Sequence, residues 1–136
     1  MKLFLAILAL VVLLAVCGSH FYWAFGGKIG YDIALPADKD GNVKFQPTSA
    51  MALVVSILLL IAFLILLFNI LNLQIPLLAL ATKICFVVFL LRSIYDIVRY
   101  LIGAKNNKTL PEKFKWEICC FTPICLILAL GFGLFV

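Results

Sequence analysis

The chain has 136 residues, of which 66% are hydrophobic and only 12% charged. A soluble domain carries about 25% charged residues, so a surface this poor in charge cannot be wetted, and a water-soluble enzyme or domain is excluded. The net charge of +5 comes from bases that flank apolar runs, which makes anionic lipid headgroups their counterpart and speaks against nucleic acid.

Residues 3–25 read as a first helix, close to the ~20 residues needed to cross a bilayer. The Met-Lys start and Cys17 bring a secretory signal or lipoprotein site to mind. Val16 is bulkier than the small residue such a site wants, and apolar character resumes after His20, so the segment reads as a retained span. Gly26 and Gly27 stop it, since glycine is easiest just past a helix end. The following loop, 28–48, is polar but patterned. Ala34-Leu-Pro36 makes a stiff corner, and Asp40-Gly41 before the alternating Val43-Lys-Phe45 is a hairpin signal. An ordered, hairpin-containing loop at the membrane surface is expected. Asp38 and Asp40 lack the spacing and closing glutamate of a calcium loop.

Thr48 or Ser49 suits the N-cap of a second helix, 50–68, in which Ser56 is the one polar residue. Asn69, Asn72 and Gln74 form a short link, and Pro76 fits the first turn of a third helix. So short a link makes helices two and three antiparallel neighbours. Helix three, 77–102, carries Lys83, Arg92, Asp96 and Arg99. At ~100° per residue the last three share one face. Arg92 and Asp96, spaced i, i+4, can pair and lower each other's burial cost, while Lys83 lies opposite and can extend to the nearer surface. A basic loop leads to a fourth helix, 117–136, with Pro123 in its second turn and Gly131 and Gly133 offering flat surface for close packing.

The fold class is therefore an all-α integral membrane protein, a single domain built as a four-transmembrane-helix bundle with the ordered loop between helices 1 and 2. The five cysteines include no Cys-x-x-Cys pair, so quinone-coupled thiol chemistry is not expected. With one histidine in the chain, no metal site and no cofactor are expected. Four spans place both termini on one side and both long loops on the other. Lys28, Lys39, Lys44, Lys105, Lys108, Lys113 and Lys115 lie in those loops, which puts the loops in the cytoplasm and both termini outside.

This topology collects polar residues near one surface: His20 and Trp23 on helix one, Arg92 and Asp96 on helix three, Glu117 at the start of helix four. Ionisable groups at membrane depth mark functional sites, although the aromatic residues at that level also fit an ordinary interfacial belt. His20, Trp23, Arg92 and Asp96 are the ligand-binding candidates. His20, Asp96 and Glu117 are the catalytic ones.

The run His20-Phe-Tyr-Trp23-Ala-Phe-Gly26-Gly27-Lys-Ile-Gly30, with Asp32 and Ala34-Leu-Pro36 after it, resembles the opening of a small bacterial four-helix membrane family, domain-of-unknown-function family 3995. The likeness continues at Arg92-Ser-Ile-Tyr-Asp96, with Tyr95 where the family tends to have glycine, and at Phe121-Thr-Pro-Ile-Cys125. The resemblance implies four helices in a bacterial inner membrane, with Gly26, Gly27, Gly30 and Pro36 in structural roles. It implies no activity.

Three functions from different classes fit. The first is a non-enzymatic membrane protein, either a complex subunit or homo-oligomer or a binder of lipid or a hydrophobic small molecule through the polar layer. The second is a compact membrane enzyme in which His20 is the acid/base, oriented by Asp96 or Glu117. The third is an oligomeric transporter, for which helix two supplies nothing polar to line a path.

Overall fold

The computed structural model describes residues 2–30, 48–106 and 117–136. The expected hairpin, with Pro36, and the basic loop before Glu117 lie outside the described residues, among which there is no strand. Four α-helices follow in order: α1 (Lys2–Ala24), α2 (Ser49–Ile70), α3 (Leu78–Asn106) and α4 (Thr122–Gly133). The first three are long and apolar enough to cross a membrane, α3 over Leu78–Ile102. The fourth departs from the sequence expectation. Residues Glu117–Phe121 form a π-helical turn, and only 12 residues of regular α-helix follow. The cause is Pro123, which lacks an N–H and whose ring would strike the carbonyl of Cys119 in an α-helix. A wider turn just before the proline removes that clash.

The helix ends follow from local chemistry. Thr48 caps α2, its hydroxyl accepting from the Met51 N–H at 3.4 Å. After α1, Gly27 N–H donates to Tyr22 O at 2.9 Å and Gly26 N–H to Trp23 O at 3.0 Å. These are the two bonds of a Schellman cap, and the cap needs the left-handed φ of +88° that Gly26 adopts. α2 closes in the same way: Leu73 N–H meets Phe68 O, Asn72 N–H meets Asn69 O, and Asn72 holds φ +53°.

α1 lies between α2 and α4, and α3 packs mainly along α4. α2 and α3 touch less than these pairs do, and the described side-chain bond between them sits at their linked ends, Asn69 Nδ2 donating to Thr82 Oγ1 at 2.8 Å. The core is formed by Ala9 and Leu13 of α1, Ala62 and Leu66 of α2, and Leu128 and Phe132 of α4. Phe89 of α3 stacks on Phe132 with ring centroids 5.8 Å apart. Where α1 crosses α4, a Cβ on Gly131 would overlap the Ala9 methyl, so glycine sets how close the two helices come. Lipid tails are as apolar as leucine, so membrane helices associate through this close fit of small residues. Outside the contacts the surface stays apolar, with Leu3, Phe4, Val54, Leu58, Val88 and Leu91 all exposed.

Candidate functional site

Most of the hydroxyls on the apolar helices are satisfied at home. Ser56 donates to Ala52 O at 2.8 Å, Thr82 to Leu78 O at 2.7 Å, Ser93 to Phe89 O at 3.0 Å and Ser19 to Ala15 O at 2.9 Å. Each uses the carbonyl one turn back, which lets a hydroxyl exist where water is absent. Cys17 adds a contact between helices, its thiol 3.4 Å from Ser56 O.

Asp96 is the exception. Its side chain is 1% exposed, and Oδ1 pairs with Nη1 of Arg92, as the i, i+4 spacing predicted. Its other oxygen, Oδ2, is buried without a hydrogen-bond partner among the described residues. Arg92 itself is 47% exposed. Asp96 lies six positions before Ile102, the end of the apolar stretch, which places it about 9 Å inside at ~1.5 Å per residue. An open acceptor at that depth is costly, because no solvent reaches it.

His20 stands on α1 near its C-terminal end, half-buried. Its Nδ1 lies 2.8 Å from Val16 O. A carbonyl only accepts, so Nδ1 carries the hydrogen and Nε2 of the neutral ring is an acceptor. The imidazole meets Trp23 edge-on, with centroids 5.0 Å apart and planes at 62°. The Trp23 indole N–H donates to Ile29 O at 2.9 Å and so folds the residues after Gly26 back against α1. Gly30 lies there at φ +73°.

The structure thus brings together Arg92 with Asp96, and His20 with Trp23. Among the described residues no hydrogen bond or ion pair joins the two pairs, and none gives His20 a carboxylate partner. Glu117 opens the π turn. Among the described residues no cluster of histidine, cysteine or acid is placed to hold a metal. Sequence reasoning missed the buried seam of α3. Thr82, Ser93 and Asp96 are all buried and share one face, separated by 11 and 3 residues, and that spacing was available as a signal.

Among the described residues the fold is all-helical, with three helices able to cross a membrane and a half-satisfied ion pair on the third. The chain belongs to the family described as protein of unknown function (DUF3995), whose model matches residues 4–132, nearly its whole length. Comparison with curated proteins and with solved structures gives no match.

Proposed function

We propose that this chain is a multi-pass protein of a bacterial inner membrane, and that it binds a lipid or similar hydrophobic molecule through the polar layer of His20, Trp23, Arg92 and Asp96. One observation carries the reading: a guanidinium half exposed within the long apolar stretch of α3, resting on a buried carboxylate with an open oxygen. Such a pair is expensive within a bilayer unless something polar reaches it. A role without catalysis is favoured over an acid/base enzyme because no carboxylate among the described residues partners His20, whose Nδ1–H is held by the backbone of its own helix.

A fourth crossing fits the packing. Gly131 lies against Ala9, and Phe132 stacks on Phe89, so residues 117–136 run antiparallel to α1 over much the same depth. Four crossings with lysine-rich long loops put those loops in the cytoplasm and both termini outside. Membrane lipids are then the nearest partners, with a second copy or another membrane subunit as the remaining ones.

Native mass spectrometry of the full chain, released from its membrane in mild detergent, tests the reading. Lipid-mass adducts should survive on the wild-type chain and be lost from Arg92→Gln. A wild-type chain free of adducts overturns it.

A further inference from the structure

We infer that Arg92 and Asp96 form a site for a zwitterionic lipid head bearing a phosphate and a primary ammonium, an inference that rests on the lipid-binding reading above. The argument comes from what each side chain leaves unmet. Arg92 has five N–H donors and one described partner, Oδ1 of Asp96. Its exposed part is flanked on α3 by Val88, Leu91 and Tyr95, all exposed, so its surroundings are acyl chains instead of water. Asp96 needs a donor at Oδ2.

An anion alone would satisfy the guanidinium and be repelled by the carboxylate beside it. A cation alone would meet the reverse. A head carrying both charges satisfies both groups and is net neutral, like the pair it meets. A second copy is a poor source of the anion from α1 to α4, because Asp96 is the one acidic residue in those helices and is already paired with its own Arg92.

Depth agrees. The 25-residue apolar stretch of α3 is about 37 Å long against ~30 Å of hydrocarbon, which leaves Asp96 about 5 Å below the hydrocarbon edge. A lipid head drawn slightly inward reaches it. Oδ2 is closed off in the structure, so binding turns Arg92 outward onto the phosphate and admits the ammonium beside the carboxylate.

The test titrates the full-length chain in micelles with three dioctanoyl lipids, phosphatidylethanolamine, phosphatidylcholine and phosphatidylglycerol, and measures bound lipid by native mass spectrometry. Trimethylation in the choline lipid removes the N–H donors and leaves the phosphate and both charges. The ethanolamine lipid should bind about tenfold more tightly than the choline lipid, the worth of one charge-assisted hydrogen bond. Asp96→Asn should erase that preference, and Arg92→Gln should weaken both lipids alike. The wild-type comparison needs no variant, so a variant that fails to fold leaves the test in place. Equal binding of the ethanolamine and choline lipids overturns the inference and leaves lipid binding standing. A preference for phosphatidylglycerol over both also overturns it. Displacement of lipid by an equal concentration of water-soluble phosphoethanolamine overturns the lipid source. Retention of none of the three overturns both readings.

Discussion

Arg92 and Asp96 are unequal partners, and the inequality decides what replacing each one does. Asp96 is buried, whereas Arg92 is half exposed on the outer face of α3. Arg92→Ala strands a carboxylate with two open oxygens and should destabilise by about 3 kcal/mol, the range for breaking a buried pair. Asp96→Ala leaves a guanidinium that can swing outward and should cost less. Replacing both with apolar residues removes both desolvation costs and should be milder than Arg92→Ala. Equilibrium unfolding in mixed micelles reads all three. A double variant as damaged as Arg92→Ala would mean that the residues do not stabilise each other. This pair was legible in the sequence because i, i+4 spacing fixes the geometry within one helix. The surroundings of His20 were not, because they depend on how α1 sits against other helices.

The positions of the apolar helices were readable for a simple reason: about 20 apolar residues in a row have few other uses. Which side of each helix packs was hidden for the same reason. In a soluble helix the apolar stripe marks the core, but here every face is apolar and the stripe disappears. What marks the seam is small size and the rare hydroxyl: Ala6 and Ala9 on α1, Ala52 and Ser56 on α2, Thr82 and Ser93 on α3, Gly131 on α4. The shortened α4 was not expected because Pro123 fits the second turn of a helix until the clash of its ring with the carbonyl one turn back is counted. The α1–α4 crossing gives a direct test. Gly131→Ala should destabilise by about 1–3 kcal/mol through overpacking. Ala9→Gly, by making room, should recover part of that loss in the double variant. Strict additivity of the two changes in a double-mutant cycle would contradict contact between these positions.

At the scale of the molecule, the arrangement of charge and the course of α4 make one joint expectation about sides. On a background free of native cysteines, Asn107→Cys should resist a membrane-impermeant thiol reagent applied to intact cells. A cysteine appended after Val136 should react. Reversed labelling would overturn the sidedness drawn from the lysines, and protection of both would mean that α4 does not cross. The placement of α1 between α2 and α4 also orders events in time. α1 and α2 leave the ribosome first and can fit together at once through Cys17 and Ser56. The other seam of α1, at Ala9, must wait for Gly131 of α4. Until then lipid covers it, and methyl groups are cheap for lipid to cover and to leave. α1 is thus packed on one side before α4 is made, and the arrival of Gly131 closes its second seam.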